Sequence, residues 1–281
     1  MAIVLAMAER LTRDITARGV RMRVVETGEG PPLVLIHDLF VSHLEWHRVL
    51  AQLSLHFRVF APDLPGFGES EKPSSSRYPY GISSFAEAMV DMIAGLELGR
   101  VSVLGHSLGG AVAITLAAEH PELVDRLVLV DAMSYPFRLD LKHRLQLVPL
   151  IGGLLWKQLF GRGAFRRYFR DIVFSPGFPM PLEQVDRYYE HFNSPLGRES
   201  AYAVLQAIRD TRPIVARLTR ITAPTLVMWG REDRMLPPSF GQRLAREIVG
   251  ARLDVLDTGH APHEERPEEF VRSVSRFLLK S

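Results

Sequence analysis

The sequence predicts an α/β fold, a mostly parallel sheet flanked by helices, and three observations predict it. Apolar runs at 33–36, 101–104 and 127–130, the second broken only by Ser102, read as short strands buried on both faces. Stretches with helical apolar spacing separate them, which is the rhythm of parallel strands joined by crossover helices. A length of 281 residues with 47% hydrophobic residues suits one large domain of this class, or one carrying an insertion.

The elements follow in order. Arg13 to Ala17 and Arg21 to Glu26 alternate around Gly19 and predict a β-hairpin. Thr27 to Pro32 is a turn, Leu33 to Ile36 a strand, and His37 to Phe40 the loop that ends it. Leu44 to Leu53 has helical spacing, and Phe57 to Ala61 is the next strand, closed by Asp63-Leu-Pro-Gly-Phe-Gly-Glu-Ser70. After the loop at 72–76, Ser84 to Leu96 predicts a helix, Val101 to Leu104 a strand, Ala111 to Ala118 a helix and Leu127 to Val130 a strand. The alternation then breaks. Helical pieces at 136–150, 154–174, 182–192 and 199–209 fill the chain until the strands Thr225 to Met228 and Leu253 to Leu256, and Glu268 to Leu279 closes it as a helix. The expected organisation is a core of residues 1–132 and 222–281, with a helical cap, 133–221, inserted between two late strands.

Composition excludes several classes. Lys and Arg total 34 against 32 Asp and Glu, so nothing suggests a nucleic-acid partner. There is no cysteine, which removes disulfides, thiolate metal sites and a cysteine nucleophile. The apolar start, Met1 to Ala8, lacks the basic region of a signal peptide, and no apolar run reaches the ~20 residues of a membrane span. The expectation is a cytoplasmic chain.

The chemistry centres on Gly105-His-Ser-Leu-Gly109. Strand, G-x-S-x-G and helix together predict a nucleophile elbow, a sharp turn that lifts the Ser107 hydroxyl clear of the backbone in a strained conformation. A serine hydroxyl is a weak nucleophile and needs a base, and the base needs a carboxylate to orient it. In this context both come later in the chain, acid first, at strand ends. His260, just past the last predicted strand, is the candidate base, with His263 behind it. Asp233 is the favoured acid over its neighbour Glu232, and Asp131, at the end of the preceding strand, is the rival. The oxyanion donors expected are the N–H groups of Leu108 and Leu39.

These motifs, with Asp63 to Ser70, Trp229 to Pro237 and Gly259 to His263, resemble the alpha/beta-hydrolase family in its branch with a helical cap, over nearly the whole chain from Arg13. The resemblance implies an α/β-hydrolase fold and a cap that roofs the substrate pocket. Serine at 107 argues against the dehalogenase and epoxide hydrolase branches, which carry aspartate there. One position departs from the pattern: the family usually has His-Gly in the oxyanion loop, and this chain has His37-Asp38. The expectation is that Asp38 turns away from the pocket and bonds to loop backbone.

His37, Asp38, His106, Trp156 and Phe160 are the candidate pocket residues. Between Arg138 and Arg170 the cap carries Arg138, Lys142, Arg144, Lys157, Arg162, Arg166, Arg167 and Arg170 against the single acid Asp140. That basic face reads as solvated surface, or as a peripheral contact with anionic lipid or an attraction for acidic substrates. The leading expectation is a hydrolase of carboxylic esters with a mainly apolar acyl or alcohol part, working without cofactor or metal on a small-molecule substrate. A carbon–carbon bond hydrolase of keto-dienoates, with a cap arginine on the substrate carboxylate, is the second reading. A non-catalytic ligand-binding module on the same fold is the third.

Overall fold

The computed structural model describes residues 10–136 and 160–280. Their strands are β1 Leu11–Ala17, β2 Val20–Thr27, β3 Pro32–Ile36, β4 Arg58–Pro62, β5 Val101–His106, β6 Val124–Val130, β7 Thr225–Gly230 and β8 Arg252–Leu256. They form one sheet in the order β1-β2-β4-β3-β5-β6-β7-β8. The β1–β2 hairpin and the β2–β4 pair are antiparallel, and every pair from β4 to β8 is parallel. The α/β class is therefore the observed one.

Strand alternation explains the two cores. Val34 and Ile36 face one cluster, shared with helices α2 Ile82–Gly95 and α3 Leu108–Glu119 through Phe85, Met89 and Val112. Leu33 and Leu35 face the other, shared with α1 Leu50–Leu53 and the closing helix through Leu50, Phe270 and Val274. Both faces are covered, so the central strands carry no polar alternation. All of β5 is buried, and α3 is buried from Leu108 to Ala118, which explains its small, apolar composition.

Between β6 and β7 the described chain is helical. It comprises α4 Arg162–Tyr168, continued by a π-helical turn Phe169–Val173, then α5 Leu182–Phe192, α6 Pro195–Ala207 and α7 Arg212–Val215. The helix expected at 136–150 falls almost wholly outside the described residues. After β7 come α8 Pro238–Glu247, α9 Pro262–Glu265 and α10 Pro267–Leu278. Two expectations change. Leu44 to Leu53 is a 3₁₀ turn, His43–Arg48, followed by the four residues of α1. α8 went unread, because only Gly241 and Leu244 of its ten residues are buried and its apolar stripe is too thin to show.

Candidate active site

The sheet delivers its loops to one edge, where β3, β5, β6, β7 and β8 all end. Ser107 stands between β5 and α3 with φ 49 and ψ −109. A left-handed conformation of this kind costs a serine roughly 1–3 kcal/mol, and packing has to hold it. Its N–H donates to the Val130 carbonyl at 2.9 Å, and its own carbonyl accepts the Met133 N–H at 3.0 Å. A β-carbon on Gly105 would overlap the Gly109 carbonyl, and one on Gly109 the Ile36 carbonyl, so the turn closes only with glycine at both.

Asp233 lies in the loop after β7 and His260 in the loop after β8. His260 Nδ1 donates to Asp233 Oδ2 at 2.7 Å. The other oxygen of Asp233 accepts the N–H groups of Met235 at 2.7 Å and Leu236 at 2.9 Å. Burial alone would raise this carboxyl, but His260 and the two N–H groups outweigh it and hold it below its usual range. His260 is fully buried, and its Nε2 has no hydrogen-bond partner among the described residues. With Nδ1 as the donor, Nε2 is left as the acceptor that a base requires. Glu232 is exposed.

Asp131 is also close. It sits at the end of β6 with φ 42, accepts the Gly230 N–H at 2.8 Å, and is wholly buried. Polar atoms of Asp131, Asp233 and His260 lie within 4.8 Å of one another. Burial and the Asp233 charge push the Asp131 carboxyl well above its usual range. The two adjacent carboxyls are thus pushed in opposite directions, and it is the lowered one that meets the histidine.

The oxyanion loop overturns the expectation for Asp38. Its carboxylate does not bond to loop backbone. Oδ1 accepts the N–H of Leu108 at 3.1 Å, and Oδ2 stands 3.9 Å from His260 Nε2. The group expected to hold an oxyanion is holding a side-chain carboxylate. The cause is the loop geometry: His37 Nδ1 donates to the Asp38 carbonyl at 2.7 Å, and the Asp38 N–H donates to Glu45 Oε1 at 3.1 Å. With both backbone groups of Asp38 bound on the loop side, its side chain is aimed at the nucleophile. His37 itself is a brace and not a pocket wall, since its Nε2 accepts the Leu64 N–H at 2.9 Å.

His106 is a brace and also a wall, since it lines the cavity next to Asp38. Nε2 donates to the His260 carbonyl at 2.6 Å and Nδ1 meets Glu45 Oε2 at 3.2 Å. Burial opposes its charge, yet the Glu45 carboxylate prevails and pushes it up to about 9, while burial lifts Glu45 to about 7. Glu45 thereby ties the oxyanion loop to the base loop. The sequence reading missed it, although a charged residue inside the apolar stretch from Leu44 to Leu53 was the available signal. His263 is buried with its Nε2 3.9 Å from Glu45 Oε2, and neither ring nitrogen makes a hydrogen bond among the described residues. Glu45, His106 and His263 bring ligand-type atoms within 4.8 Å of one another, as a metal site would require.

A cavity of about 20 Å³, room for about one water, opens beside Asp38 and Leu39 of the oxyanion loop. Asp38, Leu39, Glu45, Tyr168, Tyr188 and Glu264 are among its walls. Phe160 packs instead in an aromatic cluster with Phe40, Phe165 and Phe192, and Trp156 lies outside the described residues. The basic face is partly neutralised. Arg162 and Arg166 pair with Asp186, and Arg170 with Asp171, while Arg138, Lys142, Arg144 and Lys157 lie outside the described residues. No described helix is long and apolar enough to cross a membrane.

A family model described as alpha/beta hydrolase fold matches residues 31–267. The chain is 29% identical over 280 residues to the 2-hydroxymuconate semialdehyde hydrolase of Pseudomonas sp. (strain CF600), covering 96% of this chain and 94% of that protein. A solved meta-cleavage product hydrolase from Pseudomonas fluorescens IP01 superposes with a TM-score of 0.80 at 28% identity, covering 95% of this chain and 97% of the other. The enol-lactonase from Burkholderia xenovorans LB400 superposes with a TM-score of 0.80 at 26% identity, covering 95% and 100%.

Proposed function

The chain belongs to the alpha/beta-hydrolase family and is a hydrolase, and from that premise we propose that it is a serine hydrolase of carboxylic esters with a mainly apolar acyl or alcohol part. The observation that carries the reading is the strained Ser107 at the strand ends that also carry a buried His260, whose Nδ1 is held by Asp233 and whose Nε2 makes no hydrogen bond among the described residues; Asp38 spans the two, accepting the Leu108 N–H and standing 3.9 Å from that Nε2. His260 takes the Ser107 proton as the hydroxyl adds to the carbonyl. The tetrahedral oxyanion is held by the N–H groups of Leu39 and Leu108. His260 then gives the proton to the leaving alcohol, and in the second half activates water to release the acid from Ser107. For the Leu108 N–H to serve, Asp38 has to leave it.

The likeness to a 2-hydroxymuconate semialdehyde hydrolase favours a second reading, cleavage of a carbon–carbon bond in a keto-dienoate by the same residues. The anionic Asp38 weighs against it. Two like charges about 6 Å apart repel by roughly 3 kcal/mol at an effective dielectric near 20. No lysine or arginine among the described residues lines the cavity to offset that, and the His106 that lines it is paired with Glu45 at 3.2 Å. Arg198, the most buried arginine of the inserted helices, is bound to Asn193 and the Phe160 carbonyl.

The test is turnover of a panel of acyl esters and of a keto-dienoate, with Ser107→Ala and His260→Ala as controls and a fluorophosphonate as a label for Ser107. Both variants should lose ester turnover while keeping the fold, and their losses should not add, because the two residues act as a unit. His260→Ala activity within tenfold of the parent would remove the base assignment. A keto-dienoate turned over faster than every ester would select the second reading.

A further inference from the structure

We propose, resting on the serine hydrolase reading, that Asp38 is a plug in the oxyanion site released by a cation, and that the substrate carries an ammonium group near its scissile carbonyl. The plug is observed: Asp38 Oδ1 accepts the Leu108 N–H at 3.1 Å, where the oxyanion has to bind. Asp38 forms no ion pair with a lysine or arginine among the described residues, and its second oxygen meets only His260 Nε2, at 3.9 Å. A neutral ester therefore has to displace a carboxylate that gains nothing by leaving. A substrate with its own cation gives the carboxylate a partner and frees the N–H in the same motion.

The walls around Asp38 fit the same ligand. Three carboxyl side chains line the cavity, Asp38, Glu45 and Glu264, and no described lysine or arginine does. Glu45 is engaged by His106 at 3.2 Å, and Glu264 accepts the Tyr188 hydroxyl at 2.9 Å. Of the three, Asp38 is the one whose carboxylate stands on the Leu108 N–H, where a ligand's cation would draw it away. The remaining wall includes Tyr168, Phe169, Phe174 and Tyr188, with Phe169 and Tyr188 stacked at 5.7 Å. Aromatic faces beside a carboxylate are the surroundings that hold quaternary and protonated amines. At about 20 Å³ the cavity has room for about one water, so a substrate cation reaches Asp38 only as that carboxylate moves off the Leu108 N–H.

The experiment uses two fluorophosphonates of equal shape, one ending in a trimethylammonium group and the other in a tert-butyl group. The rate at which each labels Ser107 is measured on the full chain at low salt. The charged probe should label at least about tenfold faster, as the attraction of one desolvated carboxylate and an aromatic wall implies. In Asp38→Asn, where the amide oxygen can still accept the Leu108 N–H but the charge is gone, the ratio should fall to within about threefold of unity, chiefly because the charged probe slows. Asp38→Ala, checked by its melting temperature, serves as the second variant. Equal labelling of the parent by the two probes overturns the proposal while leaving Ser107 as nucleophile, and so does a ratio that survives in both variants. Absence of label on Ser107 with either probe overturns the serine hydrolase reading, and this inference with it.

Discussion

Two buried carboxyls stand beside His260, and single hydrogen bonds separate their roles. Asp233 is bonded to Nδ1 and to two backbone N–H groups, whereas Asp131 is bonded to the Gly230 N–H. Asp233→Asn should lower kcat on esters by about 10⁴, the size of effect expected when the wrong histidine tautomer is fixed. Asp131→Asn should cost less than about tenfold, since an amide keeps the acceptor for Gly230 and Asp131 makes no hydrogen bond to His260 among the described residues. Steady-state kinetics on both variants checks the ranking, and the reverse order would move the acid to β6. The sequence placed Ser107, Asp233 and His260 because each follows a strand in a recognisable local pattern. It could not place the Asp38 carboxylate. Where that side chain points is set by Glu45 and His37 on one side and by Leu108, seventy positions along, on the other.

Elements were legible in proportion to their burial. β3, β5 and β6 were read from apolar runs because the sheet covers them on both faces, and α5 was read to the residue because its apolar stripe repeats regularly. α8 presents too little apolar surface, and the π-helical turn Phe169–Val173 has no sequence period of its own. The join between β7 and the base loop depends on an approach the sequence showed only as a glycine. A β-carbon on Gly230 would overlap the Gly259 carbonyl, one residue before His260. Gly230→Ala should therefore destabilise by about 1–3 kcal/mol, as overpacking does, and should also lower turnover by moving His260. Thermal unfolding and kcat measured together check this, and an unchanged kcat would show that the base loop absorbs the shift.

Across the whole molecule, the inserted helices are fastened to the sheet domain at the site itself. The His260 N–H donates to the Val173 carbonyl at 2.7 Å, Ser175 bonds Glu265, and the Tyr188 hydroxyl donates to Glu264. Burial raises Glu264 to about 8, against the opposing pull of Tyr188 and Arg48. Between pH 4.5 and about 8 the folded chain keeps a proton there that the unfolded chain has lost. Its contribution to stability therefore falls as pH rises through that window, by at most about 1.4 kcal/mol per pH unit. Glu45 and His106 act in the same direction. Glu264→Gln mimics the protonated acid, so its melting temperature should decline less between pH 5 and 8 than that of the parent. Parallel melting curves would remove Glu264 from the pH response.

The left-handed backbone at position 107 sets stability against chemistry. Glycine would occupy φ 49 without the steric penalty that serine bears. Ser107 thus loads the fold with a strain that the native packing has to hold, and the elbow is a place where the molecule would become more robust by giving up its hydroxyl.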